Sequence, residues 1–152
     1  MTPQFDIRQI RCRLRCTVFV AALSLLTQSA AAADLSSQPP IEVRVSLSSK
    51  AGALRFSPKS LTFETGKLYK LVLVNPSRAK HYFTAPGFAA AVWTRKVETP
   101  GAEIKGAIRE IELKPGGRAE WFFVPVKAGI FHLRCTIRGH AEGGMVGRIT
   151  VK

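Results

Sequence analysis

The closing segment, Ile130 to Val151, constrains the fold more than any other part of the chain. Two strand-like runs, Ile130–Cys135 and Val146–Val151, flank a short loop that contains Gly139, Gly143 and Gly144. Side chains alternate faces along a strand, so Phe131, Leu133 and Cys135 share one face and His132 and Arg134 the other. The apolar set must face a core. That points the Cys135 thiol inward and turns His132 to solvent. Glycines let a short loop fold back tightly. This loop can therefore return His140 and Met145 to the thiol before the last strand begins.

The same strand pattern extends upstream. Ile41–Ser48 alternates, with Val43, Val45 and Leu47 on one face. Phe56–Phe63 reads as one edge-like strand interrupted by Pro58. Tyr69–Val74 is apolar on both parities, as a central strand is. Ile108–Leu113 and Ala119–Val124 complete the set, with a Pro115-Gly116-Gly117 turn between them. Short strands separated by Gly and Pro turns predict an all-β, antiparallel Greek-key sandwich or barrel of about seven to eight strands. Gly87–Gly106 breaks the pattern. It reads as an excursion between two strands, with a short helix around Phe88–Trp93, folded over one side of the sandwich.

The N-terminus reads differently. Arg8, Arg11, Arg13 and Arg15 precede an apolar run, Thr17–Leu26, which is followed by Ser29 and Ala30–Ala33. This is the layout of a secretory signal peptide over residues 1–33, cleaved after Ala33. The apolar run is too short for an ordinary transmembrane helix. No Arg-Arg pair supports a twin-arginine signal, and no Cys follows the run to carry a lipid. Residues 34–152 are then expected to form one domain, periplasmic or otherwise exported, without stable membrane insertion.

Export decides the cysteine arithmetic. Of the three cysteines, Cys12 and Cys16 fall in the signal, and Cys135 stays alone. A lone Cys in an exported protein forms no internal disulfide and needs another explanation. The net charge is +13. The signal holds four Arg and one Asp, which leaves 19 basic and nine acidic residues in the domain. Such a surface attracts acidic partners, or serves solubility alone. Nucleic acid is not expected, because the Lys and Arg are scattered and form no basic helix or aromatic-interleaved run.

Cys135, His140 and Met145 place a thiolate, an imidazole and a thioether within eleven residues. A second imidazole, His81, follows the Tyr69–Val74 strand after the loop Asn75–Lys80. It reaches the same end of the sandwich if that strand neighbours the Cys135 strand. Taken singly, each residue has a plainer role: a surface or core His, a core Met, a small hydrophobic Cys. Together they match two His, one Cys and a weak axial Met, the ligand set of an electron-transfer copper site. Zinc is the rival metal, but a Cys and two His would normally be completed there by a Cys, His, carboxylate or water.

These motifs resemble the cupredoxins, small blue copper proteins of the plastocyanin and azurin type. The resemblance covers Ile41–Lys152. It is carried by Phe56-Ser57-Pro58, by Val74-Asn75-Pro76 leading to His81-Tyr82-Phe83, and by Phe131–Thr136 through His140 and Met145 to Val151. It implies that His81, Cys135 and His140 are equatorial copper ligands and Met145 the axial one, with the Lys80 carbonyl on the opposite side. The spacing from Cys135 through His140 to Met145 resembles rusticyanin- and sulfocyanin-like members. Thr136 matches the hydroxyl residue usual after the Cys. Tyr82 departs from the family, where Asn often follows the first His and ties the ligand loops together.

The resemblance implies a monomeric single-electron carrier in which His140 is the exposed edge. An apolar patch of Pro86, Phe88, Ile137, Ala141, Gly143 and Gly144 is expected around it, ringed by Arg78, Lys80, Arg138 and Arg148. An acidic c-type cytochrome or copper oxidase would dock there. The alternative is a periplasmic copper chaperone or buffer using the same ligands. An enzyme is not expected, since only His132 remains after ligand assignment and no acid–base pair accompanies it.

Overall fold

The computed structural model describes residues 34–152. The predicted signal peptide and its cleavage point lie outside the described residues. Eleven strands and one short helix follow in order: β1 (Ile41–Leu47), β2 (Phe56–Ser57), β3 (Ser60–Phe63), β4 (Tyr69–Val74), β5 (His81–Thr84), α1 (Pro86–Ala89), β6 (Val92–Thr99), β7 (Ala102–Ile104), β8 (Glu110–Leu113), β9 (Arg118–Pro125), β10 (Gly129–Arg134) and β11 (Val146–Val151). They form two sheets, ordered β2-β1-β4-β9-β6-β7 and β3-β11-β10-β5-β8. Among the described residues no helix is long and apolar enough to cross a membrane.

The all-β sandwich agrees with the sequence pattern, but three details correct it. There are eleven strands rather than seven or eight. The sheets are mixed, since β1 runs parallel to β4 and β3 parallel to β11. The stretch read as one Pro-interrupted strand is two strands in different sheets. β2 pairs with β1, and β3 pairs with β11, so Pro58 lies where the chain crosses between sheets. A residue without an amide proton is tolerated there because no ladder bond is required of it.

The Gly87–Gly106 stretch is a further correction. It does not cover the sandwich as an excursion; it widens the first sheet. β6 pairs with β9 from Val92 to Glu98, with an irregularity between Thr94 and Lys96, and β7 adds the edge. The helix is shorter and earlier than expected, Pro86–Ala89, and Trp93 belongs to β6. Helix α1 nonetheless has a packing role: Phe88 is fully buried. Its ring meets Phe63 at 5.4 Å, Phe123 at 5.2 Å and Trp121 at 5.7 Å between centroids. Each such pair adds roughly 0.5–1.5 kcal/mol beyond the area it buries.

Strand β4 is central, flanked by β1 and β9, which explains why both of its parities are apolar. The core runs between the sheets through Val45, Leu47, Leu71, Leu73, Phe83, Leu133 and Ile149. Cys135 and Met145 belong to the same buried cluster, at the end of the sandwich where β10 gives way to its loop. Here the aromatic core stops and the polar chemistry begins.

Candidate metal centre

The loop between β10 and β11 is closed by its own main chain. The Cys135 N–H donates to the Met145 carbonyl at 3.1 Å, and the Met145 N–H donates to the His140 carbonyl at 2.9 Å. Within the loop, Gly143 N–H reaches the Gly139 carbonyl and Gly144 N–H the Ala141 carbonyl. Gly139 and Gly144 have φ of +82° and +101°, a region where a Cβ is strained. The turn-back read from the glycines is therefore realised, and it sets Met145 across the hairpin from Cys135. Met145 is fully buried.

His81 arrives by a route other than the one expected. β4 lies in the first sheet, away from β10. The chain crosses after β4, and His81 opens β5, which lies between β10 and β8 in the second sheet. Arg134 pairs with Thr84 across β5 and β10, one residue before the thiol. His81 thus reaches Cys135 because its own strand, not β4, neighbours β10.

One potential ligand atom from each of His81, Cys135 and His140 lies within 4.8 Å of the others. Cys135 Sγ is 3.4 Å from His140 Nδ1. The two imidazole rings are 5.1 Å apart between centroids. His81 and Cys135 are buried, and His140 is half-buried. Burial pushes the His81 ring below its ordinary value of 6.5, and the neighbouring His140 adds to the effect. A neutral imidazole with a free lone pair is what a metal requires. His81 Nδ1 is buried with no hydrogen-bond partner, the kind of orphaned atom a bound ion would satisfy. His132 is exposed on β10, as strand parity requires.

Several contacts around the site were not legible in the sequence. The Tyr82 N–H donates to Cys135 Sγ at 3.4 Å. The position usually held by Asn thus contributes its main chain, while the phenol turns outward to Glu112 and Lys80. The tie between loops comes instead from Asn75. Its Nδ2 donates to the carbonyls of Ala79, Leu113 and Lys114 at 2.7, 3.0 and 3.1 Å. Ser77 Oγ sits 3.1 Å from His81 Nε2. The Asn75-Pro76-Ser77 turn carries the only signal for this, since short polar side chains after a strand commonly bond nearby main chain.

The surroundings of His140 also differ from expectation. Phe88 is in the core, not in a surface patch. Pro86 and Arg148 line a separate concavity on the outer face of the second sheet, together with Lys59, His132 and Arg134. The opening onto His81 and His140 is lined by Lys50, Ala51, Gly52, Leu54, Ser77, Arg78 and Ala79. The Ser48–Arg55 loop was missed because nothing in its composition announces which end of the sandwich it covers.

No family model matches the chain. It is 34% identical over 103 residues to the copper-resistant cuproprotein CopI of Rubrivivax gelatinosus; the match covers 65% of this chain and 61% of that protein. Auracyanin from Roseiflexus castenholzii superposes with a TM-score of 0.54 at 20% identity, over 76% of this chain and 99% of that one. Auracyanin A from Chloroflexus aurantiacus gives 0.51 at 17% identity, over 75% and 100%. The McoA multicopper oxidase of Aquifex aeolicus gives 0.60 at 13% identity, over 76% of this chain but only 30% of the oxidase. Identities this low speak to architecture, and with the two sheets and the β10–β11 hairpin described above they place the chain in the cupredoxin fold.

Proposed function

We propose that this protein binds one copper ion through His81, Cys135, His140 and Met145 and carries single electrons between exported redox partners. The observation that carries the reading is the buried thiol flanked by two imidazoles, within 4.8 Å of one another, on the hairpin end that also buries Met145. Thiolate and thioether favour copper over zinc, and two imidazoles complete the set. Bound copper would supply a one-electron Cu(II)/Cu(I) couple. The chain's part is to hold the donors still. His81 is fixed by its strand and a buried hydrogen bond, and Cys135 by the end of β10 and the Tyr82 N–H, which suits a site whose two oxidation states must share one geometry.

His140 is the ligand nearest solvent and the natural edge for electron exchange. Ala51, Leu54 and Ala79 give its opening an apolar lining, and Lys50 and Arg78 a positive one. This supports docking of an acidic c-type cytochrome or copper oxidase. Rising ionic strength should slow electron transfer to such a partner, and Lys50→Gln with Arg78→Gln should remove most of that dependence. A rate indifferent to salt would sink the docking surface. The signal-like N-terminus supports a periplasmic protein. The chain reads as a carrier rather than a catalyst.

A second reading is copper handling without electron transfer, favoured by the likeness to a protein named for copper resistance. One experiment separates the two. The purified protein is titrated with Cu(II) and its visible spectrum recorded, with Cys135→Ser as control. An intense thiolate-to-copper band, absent in the control and reversibly bleached by a reductant with copper retained, is expected of the carrier. A colourless protein that takes only Cu(I), and yields it to a modest chelator, would replace the carrier with a copper buffer.

A further inference from the structure

We infer that Ser77 is a positioning residue that fixes the proton of His81 on Nε2, leaving the Nδ1 lone pair aimed into the site. This deepens the copper reading above and rests on it for its functional meaning. The Asn75 side-chain nitrogen faces three carbonyls, of Ala79, Leu113 and Lys114. Only an NH2 group can face three acceptors, so the orientation of this amide is settled by its partners. Asn75 Oδ1 then points at Ser77, where it accepts the Ser77 N–H at 3.1 Å.

Ser77 Oγ owns a single proton. It has two acceptors for that proton, Asn75 Oδ1 at 2.8 Å and the Ala79 carbonyl at 2.9 Å. Its lone pairs are left to receive, and the Ala79 N–H at 3.3 Å takes one. The other faces His81 Nε2 at 3.1 Å. With both stronger acceptors in reach of the Ser77 proton, Nε2 is assigned as the donor, since the other tautomer would place the proton on buried Nδ1, which has no acceptor. A neutral ring has one N–H, so Nδ1 is bare. Nδ1 is also the buried atom with no partner. Asn75, Ser77 and His81 are each at most 3% exposed, and the Asn75–Ser77 and Ser77–His81 bonds are buried.

The ring is thus oriented before any ion arrives. Its anchor runs through Asn75 to the turn after β8, where Gly116 N–H donates to the Asn75 carbonyl and Asn75 N–H to the Gly117 carbonyl. Bonds of this kind to the far nitrogen of a ligating imidazole are usually worth ten- to a hundredfold in metal affinity.

The test begins on the metal-free full-length protein, with no variant required. Long-range nitrogen–proton NMR correlations of the assigned His81 ring should show the Nε2–H tautomer; an Nδ1–H ring would overturn the inference. Ser77→Ala should then lose the single tautomer, with Cu(I) affinity falling about ten- to a hundredfold. Ser77→Thr, which keeps the hydroxyl, should restore both. An unchanged tautomer and affinity in Ser77→Ala would also overturn it. A wild-type ring in the Nε2–H form in a protein that gives no thiolate-to-copper band leaves this inference standing and removes the functional reading instead.

Discussion

His81 and His140 face the same point, but the chain holds them by opposite means. His81 sits at the start of a strand, 1% exposed, with its far nitrogen gripped by a buried serine and an asparagine clasp. His140 sits half-exposed on a loop closed by main-chain bonds and turned by glycines at positive φ. One imidazole is placed by side-chain chemistry and the other by backbone geometry. The first kind of support fails when a polar partner is removed, and the second fails when a Cβ is added. Each failure has its own size and its own readout.

The clasp should give the largest effect. Asn75→Ala would take one donor from each of three carbonyls and leave the Ser77 N–H without its acceptor, with the Leu113 and Ser77 contacts buried and the other two part-buried. Each buried group left unpaired costs roughly 1–3 kcal/mol, and some will relax, so a loss of about 3 kcal/mol is expected. Urea unfolding of the metal-free protein measures it. A loss below about 0.5 kcal/mol, the scale of an ordinary surface change, would show that the clasp is ornamental.

The glycine loop should give less. Gly144→Ala meets no atom closer than the Leu54 carbonyl at 3.7 Å, so its cost is backbone strain alone. At φ of +101° that is on the order of 1–2 kcal/mol. The strain falls beside Met145 and the hairpin closure rather than in the core. Copper affinity and the shape of the visible band should therefore change more than the urea midpoint does. Equal effects on both would show that the loop and the core unfold as one and would erase the contrast between the two imidazoles.

The sequence carried some of this and not the rest, for definite reasons. The hairpin was legible because parity along Phe131, Leu133 and Cys135 and the glycines after it are local signals, and the structure repeats them residue by residue. The route of His81 was not, because crossing from one sheet to the other after β4 is a property of long-range pairing that no local pattern encodes. The Gly87–Gly106 stretch misled for a related reason. Its alanines suggest helix, but β9 offers an open edge and the β-branched residues of Val92–Thr99 take it. Asn75 and Ser77 looked like turn residues, which they are. That Ser77 also reaches the buried His81 imidazole depends on the fold around it.

The subtlest consequence of the contrast lies in pH. Burial is the larger cause of the lowered His81 ring value, and the neighbouring His140 the smaller. In the metal-free protein, the unfolded chain binds a proton at this ring near 6.5 while the native ring still refuses it. The unfolded state then holds more protons, and stability rises with pH in that interval. Above 6.5 both states are neutral and the ring contributes no slope; as pH falls below 6.5, stability declines until the native ring protonates as well. Urea midpoints at mildly alkaline and mildly acidic pH should accordingly differ more in the wild type than in His81→Gln. His140→Gln should keep most of the wild-type slope, because it removes the smaller cause and leaves the burial. Should His140→Gln flatten the slope as fully as His81→Gln, charge between the rings would outweigh burial, and the two imidazoles would have to be treated as one coupled pair rather than as a buried ring and a half-exposed one.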